Sequence, residues 1–110
     1  MRKAFGIGLM RERIVVKAPT ITADSEGQPV KRWDPFISLW ARIDFLSGSE
    51  LQAMQKINSQ ISTSMTVRYK DSLDVKPTMQ IFWRETMWNI NAILPDEFKE
   101  FTELMVSKVE

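Results

Sequence analysis

The sequence predicts a mainly β fold: a small antiparallel β-barrel of five to six strands, with one short helix inserted between two long strands. Three observations carry this expectation. Residues 37–45 and 61–69 each alternate apolar and polar side chains along their whole length, the period of a half-buried strand. Between them lies a single stretch with a helix-start signal and good helix formers. The remaining segments are joined by local turns with no regular exchange of strands and helices, so a doubly wound parallel sheet is excluded.

In order along the chain, Met1-Arg2-Lys3-Ala4-Phe5-Gly6-Ile7-Gly8-Leu9-Met10 reads as a flexible N-terminal arm, residues 1–10, of a single domain spanning 1–110. Its apolar run is short, holds two glycines and meets Arg11-Glu12-Arg13 at once, so no secretory signal is expected. Ile14-Val15-Val16 is a β-branched strand run. Residues 18–35 contain Pro19, Asp24-Ser25-Glu26-Gly27, Pro29 and Asp34-Pro35 and read as a protruding hairpin or loop. Gly27 supplies the positive φ such a turn needs, and Pro29 keeps the segment off a central position.

In residues 37–45, Ile37, Leu39, Ala41, Ile43 and Phe45 share the core face, and Ser38, Trp40, Arg42 and Asp44 share the other. Ser47-Gly48-Ser49-Glu50 fits a capping box, with each side chain satisfying the other's backbone N–H. Leu51, Met54 and Ile57 then form a narrow apolar stripe, so residues 46–59 read as an insertion bearing a helix of two to three turns. In residues 61–69, Ile61, Thr63, Met65, Val67 and Tyr69 form the core face, and Ser62, Ser64, Thr66 and Arg68 a wet one.

A loop follows through Pro77. Met79, Ile81 and Trp83 then alternate with Gln80, Phe82 and Arg84, a tight turn falls at Glu85-Thr86, and Trp88, Ile90 and Ala92 alternate with Met87, Asn89 and Asn91. Pro95-Asp96-Glu97 breaks the chain. The end, from Phe101 to Val109, fits a closing strand, and a short helix from Asp96 to Phe101 before it fits equally well.

Composition narrows the chemistry. A chain of 110 residues is one domain with one modest core, and its net charge of +1 gives no general attraction to nucleic acid or to an anionic membrane. The absence of cysteine excludes disulfides, thiolate metal sites and a cysteine nucleophile; the absence of histidine removes the commonest general base and metal ligand. Gly6-Ile7-Gly8 lacks the third glycine and the preceding strand of a phosphate loop. The carboxylate pairs Asp24/Glu26, Asp71/Asp74 and Asp96/Glu97 all sit in turns. No catalytic, cofactor-binding or metal-ligating residue is assigned, and an enzyme is not expected.

Charge is uneven along the chain. Arg2, Lys3, Arg11, Arg13 and Lys17 crowd the start, and Asp96, Glu97, Glu100, Glu103 and Glu110 the end. Trp33, Trp40, Tyr69, Phe82, Trp83 and Trp88 interleave with Arg32, Arg42, Arg68, Lys70 and Arg84, a pattern that a single-strand nucleic-acid platform would show. Asp34, Asp44 and Glu85 among them, and the near-zero net charge, favour ordinary core and interface aromatics. Met10, Met54 and Met105 are candidate partner contacts, with Met65 and Met79 as core. Trp40, opposite a core face, makes with Phe82 and Met87 an outward apolar patch of the kind found at assembly interfaces.

The ordered set of motifs resembles the head closure, or head–tail joining, proteins of tailed bacteriophages. Leu9-Met10-Arg11-Glu12-Arg13-Ile14-Val15-Val16 is similar to their opening strand, and Asp24-Ser25-Glu26-Gly27-Gln28-Pro29-Val30 with Trp33 to their hairpin. Leu39-Trp40-Ala41-Arg42-Ile43 and Leu46-Ser47-Gly48-Ser49-Glu50 resemble the family's centre, Val67-Arg68-Tyr69 a strand end, and residues 79–93 the next hairpin.

The resemblance implies a structural virion protein that forms a ring of about 6 or 12 copies below the portal, closes the DNA-filled head and provides the tail's platform. It places the insertion near the channel, with Ser47, Glu50, Gln52, Gln55 and Lys56 facing the lumen. Arg11, Arg13, Trp33, Trp40, Phe82 and Met87 are the candidate subunit or partner interface. The implied partners are the portal or adaptor ring, tail proteins and further copies of the chain; packaged DNA is met only through the channel, with no membrane and no cofactor. The implied location is the virion, after assembly in the host cytoplasm. The alternatives are another connector or tail completion protein and, from a different class, a small-barrel single-stranded nucleic-acid-binding module.

Overall fold

The structure, a computed structural model, describes residues 10–109. The elements are β1 (Glu12–Ala23), β2 (Pro29–Phe45), α1 (Gly48–Gln55), β3 (Thr63–Arg68), β4 (Gln80–Trp83), β5 (Thr86–Pro95) and β6 (Phe101–Lys108), with a 3-10 turn at Tyr69–Asp71. The strands close into a barrel in the order β1-β2-β3-β6-β5-β4, and every neighbouring pair is antiparallel. This is the fold class the alternation predicts, a six-stranded barrel with its one described helix between β2 and β3. Residues 1–9 of the expected N-terminal arm lie outside the described residues. Met10, its last residue, is buried and belongs with the barrel.

Each strand sends alternate side chains inward, so the core is written in residue pairs: Ile14 and Val16 on β1, Leu39 and Ala41 on β2, Met65 and Val67 on β3. Ile81 and Trp83, Trp88 and Ile90, and Leu104 and Val106 complete it from β4, β5 and β6. The loop after β3 is drawn into this core. The Ser72 hydroxyl donates to the Tyr69 carbonyl at 2.8 Å and lies within hydrogen-bond distance of the Thr102 hydroxyl at 3.0 Å, and Val75 and Met79 join the apolar cluster.

β1 and β2 are far longer than the barrel requires. β1 meets β4 only at Val15, Val16 and Lys17, and β2 meets β3 only from Arg42 to Phe45. Beyond those positions the two strands pair with each other alone, as a hairpin that gives the molecule a long axis of 53 Å against 28 and 25 Å across. A register shift opposite Val16/Lys17 leaves Phe36 as an extra, exposed residue where the hairpin leaves the barrel. Asp24 Oδ1 accepts from the N–H groups of Glu26 and Gln28, and Gly27 at φ +80 completes the turn.

Three local expectations are corrected. The β4–β5 turn is Arg84-Glu85, with φ of 49° and 58°, rather than Glu85-Thr86. Two left-handed residues match the twist of the flanking strands, and β-branched Thr86 stays in the ladder opposite Trp83. The capping box does not form. Ser47 is extended, but its side chain makes no capping hydrogen bond, and Gly48 at φ +60 turns the chain away from the box geometry. The expected stripe is shorter too: Ile57 falls beyond the end of α1 and is exposed.

At the C-terminal end the closing strand is present and the alternative short helix is not. Asp96 instead organises a turn, its carboxylate accepting from the N–H groups of Glu100 at 3.1 Å and Phe101 at 3.3 Å. Desolvation pushes the Asp96 pKa up, but the backbone N–H groups of Glu100, Phe101, Phe98 and Lys99 outweigh it and hold the carboxyl below its ordinary 3.8. Its folded pKa being depressed, the ionised group adds stability above the ordinary value, and that stability is lost as pH falls through the lower folded value. Asp96→Asn is therefore expected to lose less stability than the parent between about pH 5 and pH 3. Urea titrations across that range check this; parallel losses for the two proteins would show that the turn carries no proton linkage.

Candidate interaction surfaces

The first surface is the outer wall formed by β5, β4, β1 and β2. Residues directly opposite in an antiparallel ladder share a face, so Met87, Phe82, Val15 and Ser38 form one row across the four strands. Beside that row Arg13 pairs with Trp40, and its guanidinium carbon lies 4.9 Å from the centre of the Trp40 ring. Lys17 Nζ lies 4.6 Å from the Phe82 ring centre. Each such cation–ring contact contributes about 0.5–1 kcal/mol at an exposed site. Trp40 is 55% exposed, whereas Phe82 and Met87 are half-buried.

The structure thus brings Arg13, Trp40, Phe82 and Met87 onto one face. Arg11 is exposed just before β1. Trp33 continues the face along the hairpin, opposite Pro19 and beneath Lys31 Nζ at 4.7 Å. Folding takes two rings out of the stacking-platform pattern. Trp83 and Trp88 are core residues with ring centres 6.0 Å apart, so they offer no open ring face. Trp83 is instead tied down by Nε1 donating to Glu12 Oε1 at 3.0 Å, and Arg84 Nη2 shares that oxygen at 3.4 Å.

The second surface is a cleft of about 800 Å³ between the α1 insertion and the outer wall of β2, β3, β6 and β5. Its floor is polar. Arg42, Thr66 and Glu103 form one cross-strand row; Asp44, Ser64 and Met105 form the next. Ser64 Oγ donates to Glu103 Oε2 at 3.1 Å, and Arg42 Nε lies 3.1 Å from Asp44 Oδ2. The expectation of a wet face on β3 is corrected here, since Ser64 and Thr66 are each only 2% exposed. Longer neighbours on β2 and β6 close over their short side chains. Sequence reading missed this floor, and its signal was a nominally wet face built from Ser and Thr rather than from Lys and Glu.

All five lumen candidates are exposed. Ser47 and Glu50 line the cleft; Gln52, Gln55 and Lys56 do not, and Gln55 Nε2 donates to the Ile61 carbonyl at 3.4 Å. Of the candidate partner methionines, Met10 and Met105 are buried within the chain, which corrects that expectation, and Met54 is half-buried above the cleft. Among the described residues no group of three or more acidic side chains is placed to hold a metal ion, and no helix is long and apolar enough to cross a membrane.

Comparison with known proteins gives a family match over residues 6–109, to the phage head completion proteins. No curated protein matches the sequence. Among solved structures, the chain is similar to a solution structure of a Shigella flexneri 2a protein at 22% identity and a TM-score of 0.73, covering 94% of this chain and 96% of that one. It is also similar to a chain from the virion of a native gene transfer agent particle, at 13% identity and a TM-score of 0.58, covering 90% and 94%. At these identities the two structures show the shared fold.

Proposed function

The chain belongs to the phage head completion protein family, and from that premise we propose that it forms a closed ring at the head–tail interface, below the portal. The family is one of structural virion proteins and not of enzymes. In the proposed role the ring seals the DNA-filled head and presents the tail with its attachment surface. The observation that carries the reading is a family match that runs through all six strands. Two features of the fold support it. A ring needs two different complementary surfaces on each subunit, and this molecule has an outward aromatic wall and a projecting hairpin. The α1 insertion stands off the barrel with no buried residue, which suits a segment facing a channel.

In this reading Ser47, Glu50, Gln52, Gln55 and Lys56 face the lumen and meet packaged DNA there, acting by steric and electrostatic occlusion. Arg11, Arg13, Trp33, Trp40, Phe82 and Met87 contact neighbouring copies, the portal or adaptor ring, or the tail. The experiment is the copy number of the chain in purified particles, measured by quantitative mass spectrometry against the portal subunit. A closed-ring number, about 6 or 12, is expected. Absence from particles, or a single copy, would sink the proposal.

A further inference from the structure

We propose that the β1–β2 hairpin of one copy docks on the Trp40–Arg13 wall of a second copy, so that the hairpin is the element joining neighbours; this rests on the ring reading above. The hairpin is amphipathic. Register puts Pro19 opposite Trp33 and Ile21 opposite Lys31 on one face, with Thr20 opposite Arg32 and Thr22 opposite Val30 on the other. Ile21 is 73% exposed, so the apolar end of the first face is uncovered within a single copy, beside Lys31, which stands over Trp33. A two-stranded hairpin without a third layer is marginal in water. A partner surface supplies that layer.

The charges match as well. The tip is Asp24-Ser25-Glu26-Gly27. Asp24 is committed to the turn through the N–H groups of Glu26 and Gln28, which fixes its carboxylate at the tip, and the Glu26 side chain is exposed beside it. The wall offers the opposite charge, because Arg13 and Lys17 lie over aromatic rings and pair with no carboxylate among the described residues. The acidic tip therefore faces the basic rim, and exposed Ile21 on the shaft faces the exposed ring.

The occupant is a second copy because the two halves of the contact lie in one chain, as separate stretches of one sheet face: the hairpin at one end and the wall at the other. The hairpin grows out of the same two strands that display Arg13 and Trp40, and it leads away from them, so one copy cannot close on itself. The joint is heterologous, the kind from which a ring closes.

Cross-linking in particles that carry the chain tests this. The chain has no cysteine, so Ser25→Cys with Ser38→Cys places one thiol at the tip and one beside Trp40 on the wall, leaving the charged and aromatic residues intact. A reductant-sensitive ladder of multiples is expected, at least about ten times stronger than for either single variant. Glu26→Lys is expected to lower incorporation about tenfold, and adding Arg13→Glu to restore it, as complementary charge reversal does across an interface. Unchanged thermal unfolding of each variant shows that the barrel is intact. A ring-sized copy number without a ladder or rescue would overturn the hairpin joint and leave the ring standing; a single copy per particle would overturn both.

Discussion

Leu104→Ala is expected to cost about 3–5 kcal/mol of folding stability, the upper range for truncating a fully buried leucine. Leu104 has no exposed surface and sits on β6 directly between Met65 of β3 and Ile93 of β5. A closed barrel gives that position an unusual rigidity. Each strand is hydrogen-bonded on both sides there, so the walls cannot slide inward to fill the space. The cavity term therefore adds to the transfer term instead of relaxing away. A domain of this size is stable by about 5–15 kcal/mol in all, so the variant sits near its folding limit. Urea unfolding reads the loss directly. Lys108→Ala, at the exposed end of the same strand, should stay within about 0.5 kcal/mol of the parent. A loss below about 1.5 kcal/mol for Leu104→Ala would mean that the interior repacks and that closure does not stiffen it.

The same parity rule explains why the barrel could be read from the sequence. Ile14/Val16, Leu39/Ala41, Met65/Val67, Ile81/Trp83 and Trp88/Ile90 each repeat at period two, and every one of these pairs is core. Period two is a local property, so it survives translation into structure without knowledge of what lies across the barrel. The outward position of Trp40 follows from the same parity.

Signals that depend on distant partners were not legible in this way. A protruding hairpin or loop over residues 18–35 could be read, but its continuity with β1 and β2 as unbroken strands is hidden by Pro19, Pro29 and Pro35, which look like strand breakers. They are tolerated because the outer edges of the hairpin have no ladder to satisfy. The buried floor of Ser64 and Thr66 depends on Arg42 and Glu103 arriving from β2 and β6, at sequence separations no local pattern can report. The box at Ser47 failed because Gly48 takes a left-handed φ, a choice made by the chain's path around the cleft and not by the Ser47/Glu50 spacing.

Replacing residues 50–57 by a short Gly-Ser link is expected to leave the barrel folded while the heads lose their DNA. The two outcomes separate because α1 contributes no buried residue, so its removal takes nothing from the core. The floor it would uncover holds one buried apolar side chain, Met105, among polar groups already bonded to one another, Ser64 to Glu103 and Arg42 to Asp44. Urea unfolding should therefore move by no more than about 1 kcal/mol. An eight-residue helix held by two half-buried side chains, Leu51 and Met54, is marginal on its own and stands over a cleft of about 800 Å³. That makes it a segment able to change position at small cost, as a closure that must later open requires. If α1 occludes the channel, heads carrying the shortened chain should hold the protein at normal copy number yet protect about tenfold less DNA from nuclease. Normal retention of DNA at normal copy number would remove α1 from the lumen and overturn its proposed part in closure.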